Sequence, residues 1–563
     1  MKEKLLFLFA ALLTAVGTRA QSGDMLSTPL TLEAIKAGSI TFDNQAAGPV
    51  TYRVNGGNVQ TIESKAKGTI ELNLGDKVAF FGDNASYALP DYDFSINSPF
   101  GYSKITSSVD CYIYGNIMSL VSSSNFTTAD KLETQNSFLR LFSWNVHLKN
   151  HPTHQLMLPA TTLASNCYRS MFDGCSGLTK APELPAKMLA SSCYSGMFTR
   201  CTELTKAPSL PATTLADSCY CDMFEGCTGL TEAPELPAMT LAESCYSGMF
   251  QHCSKLTKAP KLPATTLAKR CYESMFWYCT GLTKAPELPA TTLAEYCYYS
   301  MFGSCSGLTK APELPATTLA ENCYSSMFSG CTGLIEAPEL PITTLAKSCY
   351  SAMFQDCTGL TKAPELPATT MAKECYARMF SGCIGLTKTP ELPATTLERG
   401  CYSGMFKGCT GLTKAPELPA MMLTKECYSG MFQGCTGLTK APELLATTLA
   451  EKCYKSMFYD CTNLGSVTSL ATDISSTDAT NRWLVGVSAT GTFYKHPDMK
   501  DWPTGTSGIP EGWTVMDYDM TGISGTTANA KKTATTTYDL RGMKSTTGNK
   551  GLKVVSGKKI MTK

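Results

Sequence analysis

Residues 271–296 read CYESMFWYCTGLTKAPELPATTLAEY, and residues 297–322 read CYYSMFGSCSGLTKAPELPATTLAEN. The second stretch is the first moved on by one period. Taking the leading cysteine as phase zero, it returns at Cys167, Cys193, Cys219, Cys245, Cys271, Cys297, Cys323, Cys349, Cys375, Cys401, Cys427 and Cys453, always 26 residues apart. A second cysteine follows each at plus eight, from Cys175 to Cys461. Twelve such units hold 24 of the 26 cysteines, leaving only Cys111 and Cys221 outside the pattern. Self-similarity at this period means a stack, because one short unit cannot bury its own apolar residues and its neighbours can.

Within a unit, apolar residues fall in pairs. In the second unit these are Leu189 and Ala190, Cys193 and Tyr194, Met197 and Phe198. Read against a 3.6-residue repeat, they form a stripe on one helix face. Thr240 with Glu243, Thr292 with Glu295, Thr318 with Glu321 and Thr448 with Glu451 have the spacing of a capping box at a helix start. Gly174, Gly226, Gly330, Gly382, Gly408 and Gly434 sit where a left-handed C-terminal cap would stop it. The pattern predicts a helix of about 11 residues per unit. The other half of the unit, Gly281 to Pro289, carries two prolines, which have no N–H to give to a sheet ladder. Three or four paired residues around Leu282 to Ala285 are expected, followed by a proline-fixed extended segment. The expected architecture is an α/β repeat solenoid of the leucine-rich-repeat size class, with one short strand and one short helix per unit. Strands about 4.8 Å apart against helices about 10 Å wide would make the array curve, with strands on the concave face.

The flanks differ in composition. Residues 1–20 read as a signal peptide, with Lys2 and Lys4 before an apolar Leu5–Val16 and a cut after Ala20. Residues 21–150 alternate in Ser39–Asp43, Thr51–Val54, Thr69–Leu74 and Lys77–Phe81, the mark of a small all-β domain, read as a sandwich. The solenoid is placed at 151–465. A C-terminal cap with Trp483, Trp502 and Trp513 is placed at 466–522, and a Gly/Ser/Thr-rich linker with a basic β-type segment at 523–563.

Charge is also columnar. Lys180, Lys206, Lys258, Lys284, Lys310, Lys362, Lys388, Lys414 and Lys440 share one phase, with Glu232 and Glu336 at two further positions. Three residues on lie Glu183, Glu235, Glu287, Glu313, Glu339, Glu365, Glu391, Glu417 and Glu443. Such stripes either compensate one another on a solvated surface or meet a partner of matching charge. The lysines on the concave face are the candidate partner-binding residues. The Cys-x7-Cys spacing is a poor match to a zinc site. Reduced, buried cysteine ladders are favoured over disulfides, because nothing alternates with a two-unit period.

Lys plus Arg is 48 and Asp plus Glu is 47, a balance that argues against a nucleic-acid partner. No apolar run reaches the roughly 20 residues of a membrane span. No GxSxG, HExxH or phosphate-binding loop is present. His147, His151 and His154 read as surface histidines at a domain junction, and His252 and His496 are isolated. No catalytic residue, metal or cofactor is expected.

The recurring core, as in Met249-Phe250-Gln251-His252-Cys253-Ser254-Lys255-Leu256, resembles the BspA-type leucine-rich-repeat surface proteins of anaerobic bacteria. Tyr538-Asp539-Leu540 with Gly542, and Lys550-Gly551 through Gly557-Lys558-Lys559, are similar to a Por-type (type IX) secretion sorting domain. Together the resemblances imply a non-enzymatic cell-surface or secreted protein that binds protein or glycan on host or neighbouring cells. The alternative is a structural envelope component whose N-terminal β domain binds glycan while the repeats act as a spacer.

Overall fold

The computed structural model describes residues 25–89 and 101–520, and the backbone of 551–555 and 558–562. The signal-peptide reading, and the Tyr538–Gly542 part of the sorting-segment reading, lie outside these residues.

The N-terminal alternating segments form a sandwich. One sheet contains β1 (Thr31–Ala34), and the other is built on β2 (Gly38–Asp43). They are joined by β3 (Val50–Val54), β4 (Gln60–Ile62), β5 (Lys67–Leu72), β6 (Lys77–Gly82), β7 (Lys104–Ser107) and β8 (Cys111–Asn116). The sheets run β8-β1-β6-β3-β4 and β5-β2-β7, with Ile40, Phe42, Val78, Phe80 and Ile105 fully buried between them. The period-2 alternation puts these residues inward, which is what fixes the register.

The edge strand β8 begins the array. β9 (Lys131–Leu132) precedes β10 (Leu148–Asn150) and β11 (Leu156–Met157), and both of the latter pair with β8 in parallel. β12 (Thr162–Leu163) pairs in parallel with β9. The open sheet edge of the sandwich is thus covered by the first tiers, and the first tiers by the sandwich.

Among the described residues no tier contains a helix, so the expectation of one helix per unit is wrong. A ribbon of overlapping turns stands in its place. In the tier of Cys297, the N–H groups of Cys297, Tyr299, Met301, Gly303 and Cys305 each donate to the carbonyl three residues back. The alternate residues Tyr296, Tyr298, Ser300, Phe302 and Ser304 donate instead to carbonyls of the next tier, at 2.6–3.1 Å. Every fourth residue is left-handed: Tyr296, Ser300 and Ser304 have φ of +56°, +50° and +58°. Each left-handed residue turns the chain so that the next donor points across to the neighbouring tier, and no N–H in the run is orphaned. The glycines read as helix stops do adopt positive φ, but as the third left-handed position of the ribbon. The capping-box threonines Thr240, Thr292 and Thr318 pair with their equivalents one tier away and cap nothing.

The same two apolar pairs fill every tier. Tyr298, Met301, Phe302, Cys297 and Cys305 are at most 1% exposed, as are their equivalents. Tyrosines stack on tyrosines and phenylalanines on phenylalanines, with ring centroids 5.6–5.9 Å apart around this tier. That rise is only about 1 Å more than a parallel strand spacing. The wedge a 10 Å helix would impose, on which the expected curvature rested, is absent.

The strand side is thinner than expected. Lys180 bridges Lys206, and Glu336 bridges both Lys310 and Lys362, each as a single residue. A second one-residue ladder runs through Thr214, Thr240, Thr266, Thr292 and Thr318. Proline two residues after the lysine ends each bridge. Where the next tier lacks the proline, the strand lengthens, with Pro442 inside it breaking the register between Lys440 and Glu443. β13 (Lys440–Leu444) pairs with β14 (Ser466–Ser469), a proline-free segment, and β14 pairs with β15 (Thr492–Lys495). Beyond Cys461 one more ribbon tier forms, with Asp478, Arg482 and Gly486 left-handed. Trp483 stacks on Tyr454 at 6.3 Å and on Trp502 at 5.6 Å, closing the core. From Met516 the chain forms a separate unit, in which 551–555 and 558–562 make an antiparallel hairpin.

Candidate functional site

All nine lysines of the predicted column, Lys180 through Lys440, are exposed and aligned on the bridge face. A bridge fixes the backbone at Lys180, Lys206, Lys258, Lys310 and Lys362, strand pairing fixes it at Lys440, and the proline two residues after every lysine of the column holds the segment extended, so each side chain leaves the same face of its tier. Among the described residues none of the nine is ion-paired. The glutamates three residues on are also exposed, but the structure does not join the two stripes into the compensating pairs the sequence invited. The ion pairs sit elsewhere, several of them in the column two residues before the leading cysteine. There Lys269 meets Glu295 at 3.1 Å, Lys347 meets Glu321 at 2.6 Å and Lys425 meets Glu451 at 2.8 Å. The lysine file is therefore a row of exposed cations without ion pairs, interrupted by Glu232 and Glu336 and flanked by the equally numerous glutamate file.

The file begins at the junction with the sandwich. Asn150 Oδ1 accepts the N–H groups of Thr179 and Lys180 at 2.8 and 2.9 Å. Beside it lies a cleft of about 280 Å³ lined by His151, His154, Pro182 and Glu183. His151 and His154 stack at 4.3 Å, and Tyr112 and Tyr114 meet His151 edge-on at 5.1 and 5.0 Å. Burial and the neighbouring His154 hold the His151 pKa below the usual imidazole value. His147 turns away and meets Asp110 at 3.0 Å. The three histidines thus do not converge, and no metal-holding cluster occurs among the described residues.

The cysteines serve the core. All 26 are free. Cys305 Sγ donates to the carbonyl of Phe276 one tier back at 3.0 Å, and the same bond recurs in all twelve units from Cys175 to Cys461. Burial pushes these thiols up, to about 12 at Cys331, Cys383 and Cys461, so they are poor nucleophiles and poor metal ligands.

What the sequence reading passed over is the outer face of the ribbon. The two columns flanking Cys297 and Tyr298 read Arg270 and Glu273 in one tier, Tyr296 and Tyr299 in the next, Asn322 and Ser325 in the third. The bridge face repeats and the ribbon face does not. Comparing units column by column would have shown this.

A family description, BspA type Leucine rich repeat region (6 copies), matches residues 191–335, 272–413 and 373–478, together just over half of the chain. The chain belongs to this family. No curated protein and no solved structure matches it. BspA-type repeats are typical of surface or secreted proteins, and no helix among the described residues is long and apolar enough to cross a membrane.

Proposed function

We propose that this BspA-type chain is a non-enzymatic, exported surface protein that binds macromolecules on host or neighbouring cells, with the lysine file of its repeat array as the contact. One observation carries the reading: nine exposed lysines without ion pairs stand on one face, one per tier. A repeated face suits a repeated partner, because each weak contact raises the effective concentration of the next. The partner this charge fits is an extended protein or glycan bearing spaced negative groups. The resemblance to a type IX sorting segment supports export to the cell surface.

The test uses the full chain. Lys258, Lys284, Lys310 and Lys362 are changed together to Glu, and binding to intact epithelial and bacterial cells is measured against ionic strength. At least a tenfold loss, with a weaker salt dependence, is expected. Unchanged binding, with loss instead on substituting surface residues of the sandwich, favours the repeats as a spacer.

A further inference from the structure

The ribbon face carries a second site. A groove of about 550 Å³ runs across the tiers from Cys271 to Cys375. Four tyrosine-file steps of 5.8–5.9 Å give it a length of about 23 Å. The groove exists because consecutive tiers differ. Its floor is the pair of tiers at Cys323 and Cys349, where small residues occur together: Ser325, Ser326, Ser348, Ser351 and Ala352. One end is walled by Tyr296 and Tyr299, with ring centroids 5.9 Å apart, and by Arg270, whose guanidinium lies 4.7 Å above the Tyr296 ring and donates to Glu273 at 3.1 Å. The other end is walled by Glu374 and Arg378.

Ser325 and Ser348 line the groove and are only 5% and 7% exposed. Among the described residues neither hydroxyl has a protein hydrogen-bond partner, so both are available to an occupant of the groove. The Ser351 hydroxyl beside them is already engaged, donating to the Ala377 carbonyl at 3.2 Å.

The chemistry selects the ligand class. Two arginines and two glutamates leave the groove without net charge, so it offers nothing to a polyanion. Its floor has no apolar pocket to take the large anchor a peptide would insert. It offers hydroxyls, an amide at Asn322 and another at Gln355, with flat tyrosine rings at one end. A neutral oligosaccharide matches this, since its hydroxyls donate and accept in alternation and its C–H face stacks on an aromatic ring. We propose that this groove is a binding site for a neutral, linear oligosaccharide, with Tyr299 as the stacking platform and Ser325 and Ser348 bonding to sugar hydroxyls. The proposal rests on reading the chain as a binding protein, but it uses the face opposite in kind to the lysine file.

The test titrates the full chain with neutral linear tetrasaccharides of β-linked glucose, xylose, mannose and N-acetylglucosamine, by calorimetry and by saturation-transfer NMR. At least one is expected to bind the wild type. Ser325→Tyr with Ser351→Tyr should abolish that binding, and Tyr299→Ser should weaken it at least tenfold. The same column already carries Tyr299, so tyrosine fits there; Ser351→Tyr gives up one bond to the Ala377 carbonyl, and the melting temperature should stay within a few degrees of the wild type (~2–4 °C). Absence of binding by every sugar up to about 10 mM overturns the proposal. So does equal binding by the double variant, or binding of a peptide library in this groove where sugars fail. Loss of cell binding in the four-lysine variant is read separately, so failure of the groove and failure of the lysine file remain distinguishable.

Discussion

The two long sides of each tier are held to their neighbours in different ways. On the ribbon side five backbone N–H groups per tier donate across, and Cys305 adds its S–H to the Phe276 carbonyl. On the bridge side, contact narrows to single residues such as Glu336 with Lys362. The difference teaches where sequence freedom lies. The ribbon backbone carries the cohesion, so its outward side chains can vary from tier to tier. The bridge side is held by proline-fixed geometry, and there the same residues return each time. If so, damage to the ribbon core should far outweigh damage to the bridge face.

The largest expected effect is collective. Burial raises the thiol pKa in both cysteine files, to about 12 at Cys323, Cys331, Cys383 and Cys461. Unfolded thiols ionise near 8.5. The folded state therefore holds protons that the unfolded state has released, and stability, complete below about pH 8.5, falls as pH rises toward the folded values. Each thiol that stays protonated in the fold while its unfolded counterpart ionises takes a further share of the stability with every step up in pH. Twenty-four of them should unfold the array cooperatively between about pH 9 and 12, as followed by circular dichroism. A melting temperature flat to pH 11 would contradict the buried, reduced files, and a count of 26 thiols on the denatured, unreduced protein checks their state independently.

Next is Phe302→Ala, which removes one ring from a file stacked at 5.6 and 5.7 Å. A fully buried aromatic truncated to alanine costs about 3–5 kcal/mol. Lys310→Ala, on the bridge face of the same unit, should change stability by less than about 0.5 kcal/mol. Similar urea midpoints for the two variants would break the contrast between the sides.

Much of this was legible in the residues. The 26-residue period identified the stack, the alternation around Phe42 and Phe80 identified the sandwich, and the prolines foretold short strands. The ribbon was misread as a helix for a specific reason. The pairs Leu189-Ala190, Cys193-Tyr194 and Met197-Phe198 repeat every four residues, and an α-helix turns about 40° past a full circle in that interval. A true helix stripe would have wound away from the core. The four-residue recurrence of Gly, Asn and Asp among small polar residues, as at Ser218, Asp222 and Gly226, was the matching backbone signal, since Gly, and to a lesser degree Asn and Asp, tolerate left-handed φ. Neither the groove nor the absence of Lys–Glu pairing could be read from one unit, because both depend on how neighbouring tiers differ or align.

A smaller effect probes the bridge side. Pro312, Pro338 and Pro364 changed together to Val restore three N–H donors beside Lys310, Glu336 and Lys362. Each ladder bond gained contributes about 1 kcal/mol, and each proline lost gives back about 0.4–1 kcal/mol of unfolded-state entropy. The two nearly cancel, so stability is a poor readout and hydrogen exchange a good one. The restored amides should be protected at least tenfold, as the proline-free Ser466–Ser469 segment pairs continuously with Thr492–Lys495.

The smallest expected change returns to the ribbon core. The Tyr168 hydroxyl is buried with no hydrogen-bond partner, and its ring stacks between Phe138 at 5.8 Å and Tyr194 at 5.7 Å. A buried hydroxyl without a partner carries its full desolvation cost of about 1–3 kcal/mol. Removing it loses only the dispersion contacts of one oxygen. Phe138 already occupies the equivalent place one tier earlier, so the ring file accepts phenylalanine without strain. Tyr168→Phe should therefore leave stability unchanged or raise it by up to about 1 kcal/mol, measured by urea unfolding. A loss of more than about 1 kcal/mol would mean that the hydroxyl is bonded in solution, and that the ribbon core depends on side-chain hydrogen bonds as well as on stacked rings and cross-tier amides.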